Sequence, residues 1–126
     1  MKRFWIGVAL LVGILLVGLW TTNQLGKLHT ATASDLTGAA QAAQQGQWEQ
    51  ADRHAAAARQ RWQQGWHFSA ALADHTVLDE IDGLFAQSEI YRKNRDAMEY
   101  AAICARLAQH VTALQESHQL SWWNLL

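Results

Sequence analysis

Residues 4–20 read FWIGVALLVGILLVGLW, an apolar run without a single charge, and this run decides where the rest of the chain works. A helix rises about 1.5 Å per residue, so the run covers roughly 25 Å of a hydrocarbon core about 30 Å thick. The uncharged residues 21–25 can extend it. Trp5 and Trp20 stand at its two edges, where indole rings prefer the headgroup level. The sequence therefore predicts a transmembrane helix over residues 4–24, with Trp5 and Trp20 at the membrane interfaces.

A basic start followed by an apolar stretch also describes a secretory signal peptide, which ends at a small-residue cleavage site. The nearest candidate site, Ala31-Thr32-Ala33, lies well beyond Trp20, farther than such sites usually stand. We therefore expect the run to be retained as an anchor. Two basic residues precede it and Lys27 alone follows it closely, and basic residues stay on the cytoplasmic side. Residues 1–3 are predicted to be cytoplasmic, in a single-pass protein of the cytoplasmic membrane whose C-terminal domain lies outside.

Composition restricts the partners of this domain, residues 25–126. After residue 3 the chain has eight Lys or Arg against eleven Asp or Glu, without the clustered positive charge that phosphate binding needs. We expect no nucleic-acid partner, and the lipid bilayer is the predicted contact, with another envelope protein as a further partner. Cys104 is the single cysteine, so no internal disulfide can form. Its place on an apolar face favours a small buried hydrophobe over a reactive thiol.

The absence of proline and the abundance of alanine favour long helices with few breaks. Apolar residues recur at spacings of three and four over residues 25–45, which either continue the anchor or restart at Ser34-Asp35, and Gly46 ends this segment. The next segment repeats the spacing, which predicts a second, antiparallel helix. Its apolar face consists of Trp48, Ala51, Ala55, Ala58 and Trp62. Large tryptophans opposite small alanines predict a packed core rather than a ligand pocket.

Two more helices are predicted after this hairpin. Gly65 predicts a kink or break, after which a third apolar stripe runs from Phe68 through Leu72 to about Ile90. Polar residues 92–96 predict the next turn. The last helix starts at Ala97, reaches at least His118 and has Asn94 or Asp96 as its N-cap.

These segments predict the fold class. It is all-α, with one N-terminal transmembrane helix followed by an antiparallel bundle of about four helices. The apolar tail, residues 120–126, is expected to dock on the bundle or on the bilayer.

The most polar cluster of the domain surrounds His75. His75 and Asp79 are four residues apart and share a helical face, and Glu80 and Asp82 follow closely. Two ligands on one helix make an incomplete metal site, which would need a histidine from elsewhere, such as His54, His67 or His110. We expect a solvated acidic face in which His75 pairs with Asp79 or Glu80, and we predict no metal and no cofactor.

No motif for catalysis is present in the sequence. None of the serines lies in the strand-turn-helix motif of a nucleophilic serine, and the glycines form no phosphate-binding loop. The main hypothesis is a non-enzymatic protein of the cell envelope that acts by contact. The alternative is a small ligand-sensing bundle in which Trp66, His67 and His75 face a cavity and a partner carries the signal. Metal-dependent catalysis at the acidic cluster is a third hypothesis.

Scattered positions along the chain also resemble a domain-of-unknown-function family. They are Trp48 and Trp62 in an Ala-rich helix, His75, Asp79-Glu80-Ile81-Asp82, Asp96, Glu116, Leu120-Ser121 and Asn124-Leu125-Leu126. Members of this family look like small, single-anchor helical proteins of spore-forming Gram-positive bacteria. The resemblance implies an all-helical membrane protein and no reaction. The many alanines and Trp122-Trp123 depart from the family pattern.

Overall fold

Four helices make up the fold. The computed structural model describes residues 1–125 and, within them, every side chain except those of Leu72, Gln119 and residues 121–125. The helices are α1 (Lys2–Gln44), α2 (Trp48–Leu72), α3 (His75–Lys93) and α4 (Ala97–Leu125), and the described residues contain no strand. The all-α prediction is therefore confirmed. The predicted docking of the tail falls mainly on side chains outside the described set.

Helix α1 joins the apolar run to the bundle without a break. It is 43 residues long, which corresponds to roughly 65 Å. Its first part is exposed all round, and its buried stripe begins at Leu25 and continues through His29, Thr32, Leu36 and Ala39 at spacings of four and three. The first bundle helix is thus a continuation of the apolar run and does not restart at Ser34-Asp35.

Helix α2 passes straight through Gly65, so the predicted break there is wrong. Gly65 is buried, and a Cβ added to it would lie 3.2 Å from Leu25 Cδ1. The glycine therefore serves the close approach of α1 and α2. The chain breaks later, at the extended Ala73, and Asp74 caps α3 by accepting a hydrogen bond from the Thr76 N–H at 2.9 Å.

This later break also corrects the third apolar stripe. Phe68 and Leu72 belong to α2 rather than to α3. Phe68 is 56 % exposed and is not a core residue.

The other two turns lie where the sequence predicts them. Gly46 has φ +74°, and the Gln47 N–H donates to the Ala42 carbonyl at 2.8 Å, which closes the end of α1. Arg95 takes the same left-handed conformation with φ 54° before α4. Asp96, one of the two predicted caps, accepts a hydrogen bond from the Glu99 N–H at 3.2 Å.

The core combines small and large side chains in different places. Helix α1 packs closely on α2 and α4, and four alanines of α1 and α2 are fully buried in the core: Ala39, Ala43, Ala51 and Ala58. Small side chains let the helix backbones approach. Helix α3 packs on α4 and lies farther from α2, and large side chains fill the space between α2 and α3. Trp62 is 1 % exposed and stacks on Phe85 with ring centroids 6.1 Å apart.

Candidate functional site

The predicted polar patch on α3 divides into separate parts. His75 and Asp79 are both exposed, and within the described residues their side chains form no hydrogen bond or ion pair with each other. Glu80 lies toward α4 instead, with its Oε1 3.7 Å from His110 Nε2 and 3.9 Å from Arg106 Nη2. The expected pairing of His75 with Asp79 or Glu80 is therefore not formed.

Asp82 has a structural partner that the sequence did not suggest. Its Oδ1 accepts a hydrogen bond from Trp62 Nε1 at 2.7 Å, and its Oδ2 accepts one from Trp66 Nε1 at 3.1 Å. Trp62 and Trp66 are four residues apart, so their indoles lie on one face of α2. One carboxylate thus holds two indoles and joins α3 to α2. We call this group the indole–carboxylate clamp.

A second polar cluster lies inside the bundle, at the end nearest the apolar run. His29 of α1 is 2 % exposed, and its Nε2 shares a 3.3 Å hydrogen bond with Ser69 Oγ of α2. Its ring lies 6.1 Å from that of Trp62 and 5.9 Å from that of His118 of α4. Burial lowers the pKa of His29 to about 4, and the neighbouring His118 adds to the shift. His29 is therefore neutral at neutral pH.

His118 completes this cluster without a hydrogen bond of its own. It is 6 % exposed, and neither ring nitrogen has a partner among the described residues. Burial lowers the pKa of His118 as well. The two histidines line a small cavity of about 10 Å³ together with Thr22, Leu25, Gly26 and Gln115. We call His29, Ser69 and His118 the histidine cluster.

Sequence reasoning missed the histidine cluster although a signal was present. His29 occupies a position of the apolar stripe of α1, and His118 continues the stripe of α4. A histidine at a core position of a helix predicts a buried imidazole, and this pattern occurs on both α1 and α4. Their meeting depends on the packing of α1 against α4, which one sequence does not give.

The structure also gives the exposure of the other residues singled out in the sequence, which are the two tryptophans of the apolar run and the single cysteine. Trp5 and Trp20 are 67 % and 63 % exposed on α1, and their place at the membrane interfaces stays a prediction. Cys104 is fully buried, as predicted, and burial raises the pKa of its thiol to about 11. Among the described residues no three His, Cys, Asp or Glu side chains come together in a group that could hold a metal ion.

Comparison with known families adds one match. The family described as Domain of unknown function (DUF4363) matches residues 19–125, most of the chain. The chain belongs to this family. The DUF4363 match contains the whole bundle, the histidine cluster and the indole–carboxylate clamp, and it begins near the end of the apolar run. No curated protein and no solved structure matches the chain significantly.

Proposed function

We propose that this DUF4363 chain is a non-enzymatic, single-pass membrane protein whose helical bundle lies outside the cytoplasm and acts by contact with another envelope protein or with the lipid surface. The carrying observation is helix α1, which is long and apolar enough to span a membrane by length and composition. Its spanning window is not buried by any part of the bundle. An apolar helix without protein cover needs a lipid environment.

Retention of the anchor is supported by where the bundle begins. Cleavage after Ala33 would remove Leu25, His29 and Thr32, which are all buried in the bundle. A cleaved signal peptide would therefore take part of the core with it. The basic residues before the apolar run support a cytoplasmic N-terminus. The resemblance also implies an origin in spore-forming Gram-positive bacteria, which stays a prediction.

The ligand-sensing alternative has less support from the side chains it invokes. His67 and His75 are exposed, and Trp66 is engaged by Asp82 in the clamp. The cavity that lies between helices beside His29 has a volume of about 10 Å³, which is near the room for one water molecule.

Carbonate extraction and protease protection of the full chain with a C-terminal tag test the anchor. We expect the intact chain in the carbonate-resistant membrane fraction, with its tag digested by protease added from outside. The variant Val12→Arg/Leu15→Arg should shift the chain to the soluble fraction, because each arginine at the centre of a span costs about 2.5 to 3.5 kcal/mol.

Met98→Arg is the matched control, since Met98 is 80 % exposed in the bundle. It should leave the chain in the membrane. Release of a shortened wild-type chain by carbonate would overturn the anchor. Crosslinking of the same chain in native membranes then tests the interaction, and the expected result is a neighbour whose crosslinking weakens when the bundle is destabilised by Trp62→Ala.

A further inference from the structure

The histidine cluster contains a buried ring without a hydrogen-bond partner. His118 is 6 % exposed, and both of its ring nitrogens lack partners among the described residues. A buried imidazole in this state loses its hydrogen bonds to water and gains none from protein. The position is maintained by packing alone, beside the ring of His29 at 5.9 Å. Burial without a hydrogen-bond partner disfavours the charged form of the His118 ring relative to its neutral form.

A second environment lies on the other side of the His118 ring. His118 also lines a surface groove of about 500 Å³ between α3 and α4, and the carboxylates of Asp74 and Glu80 line the same groove. Asp74 is exposed at the start of α3, and the Glu80 side chain is about half exposed. The groove has room for an imidazole ring, and it offers the negative charge that a protonated ring would need.

The charged and titratable groups around His118 differ between the two sides. Among the described residues, α1 supplies His29 and otherwise only uncharged Thr22, Leu25 and Gly26. Helix α4 supplies Gln115 on the cavity side and His110 on the groove side, where His110 already lies 3.7 Å from Glu80. The α2–α3 turn supplies Ala73 and the acid Asp74. Both carboxylates therefore face the groove, and none faces the cavity.

We propose that His118 is a proton-dependent latch that holds the end of α4 against α1. In its neutral form the ring lies buried beside His29 and closes the bundle at the end nearest the apolar run. When it is protonated, the ring moves into the groove toward Asp74 and Glu80, and the last turns of α4 separate from α1. The latch goes beyond the proposed function but rests on its retention of α1, since cleavage after Ala33 would remove His29.

The direction of the pH response follows from burial. The free histidine has a pKa of about 6.5, and burial lowers the pKa of His118 below that value. The closed form is therefore favoured above about pH 6.5, and the open form gains population as the pH falls below it. Opening exposes the histidine cluster to water at the membrane-proximal end of the bundle.

Hydrogen exchange of the full chain in lipid nanodiscs tests the latch. Exchange is compared at about pH 7.5 and about pH 5, after correction for the intrinsic pH dependence of exchange. We expect amides of residues 112–120 to exchange about tenfold faster at the lower pH, while residues 99–107 of the same helix change little. His118→Leu should remove this difference, since leucine fills a similar volume and carries no proton.

Three further variants make the test specific. Asp74→Asn keeps the helix cap but removes one carboxylate from the groove, so opening should need a lower pH. His75→Leu replaces an exposed histidine next to it and should leave the response unchanged. A response that persists in His118→Leu and disappears in His29→Leu would assign it to His29 and overturn the latch.

If His118→Leu fails to fold, the latch can still be tested in the wild-type chain. Nitrogen NMR of histidine-labelled chain follows each ring through the titration. Protonation of His118 together with faster exchange of the α4 end is the expected result. A His118 ring that stays neutral while the α4 end opens would refute the proposal, and so would a ring that titrates without any opening.

Discussion

Replacement of Trp62 by alanine tests how the bundle is held together. Trp62 is 1 % exposed, stacks on Phe85, lies beside the His29 ring with centroids 6.1 Å apart, and donates to Asp82 at 2.7 Å. Loss of a buried tryptophan side chain costs about 3 to 5 kcal/mol, and a hydrogen bond to a charged group contributes roughly 1.5 to 3 kcal/mol. A domain with a total stability of about 5 to 15 kcal/mol would lose a large part of it. We expect the melting temperature to fall by roughly 15 to 30 °C.

Thermal melting of the full chain in detergent, followed by near-ultraviolet circular dichroism, measures this effect. Trp66→Ala is the matched control, because Trp66 donates to the same carboxylate but is only half buried. It should lose clearly less stability, roughly half as much. A double-mutant cycle of Trp62→Phe and Asp82→Ala should give a coupling of about 1 to 2 kcal/mol. Equal losses for the two tryptophans, or zero coupling, would refute this account of the core.

Three further predictions concern single groups elsewhere in the bundle. The pKa of His29 is about 4 in the folded chain and about 6.5 when unfolded, so the unfolded state binds more protons below pH 6.5. Acidification from pH 8 to pH 5 should therefore cost about 2 kcal/mol of stability, and urea titrations of His29→Gln should show a correspondingly smaller loss. Cys104 should react with iodoacetamide only after denaturation, since its thiol is buried and its pKa is raised to about 11; rapid labelling of the native chain would contradict this. Asp52 accepts hydrogen bonds from Arg92 at 2.7 Å and from Arg95, so Asp52→Ala should cost about 1 kcal/mol in urea unfolding. Glu49→Ala removes a largely exposed ion pair with Arg53 and should cost almost nothing, and equal losses of stability for Asp52→Ala and Glu49→Ala would contradict the argument.

Local signals predicted the helices and most of their ends. The turn at Gly46 and the polar turn before Asp96 lie where the sequence places them, because left-handed residues and caps act within a few residues. The prediction of a break at Gly65 was wrong because this glycine serves tertiary packing. Helix α2 continues through it, and the missing side chain makes room for Leu25 of α1. The true break at Asp74 has a weaker signal, an aspartate cap after an alanine-rich segment.

The polar sites were harder to predict than the helices. Asp82 reads as a solvated acid in the sequence, and only the packing of α2 near α3 brings two indole donors to it. His29 and His118 are more than eighty residues apart in the chain, and α1 must lie against α4 before either ring has a neighbour. Periodicity gives the face of a helix but not the helix that the face will meet. The sequence therefore predicts the burial of a polar residue only in part, and it does not predict the residues that this polar residue contacts.

Helix α1 connects the histidine cluster directly to the apolar run, because the helix is continuous. The same helix carries the exposed apolar run and, from Leu25 onward, the buried stripe that contacts α2 and α4. No proline interrupts it, and His29 lies about one turn after the first buried residue. A change in packing at His29 and His118 therefore acts on the part of α1 that joins the bundle to the apolar run. If α4 loosens there, the nearest element to respond is α1, so under the proposed topology a change in the bundle would reach the membrane without a separate linker.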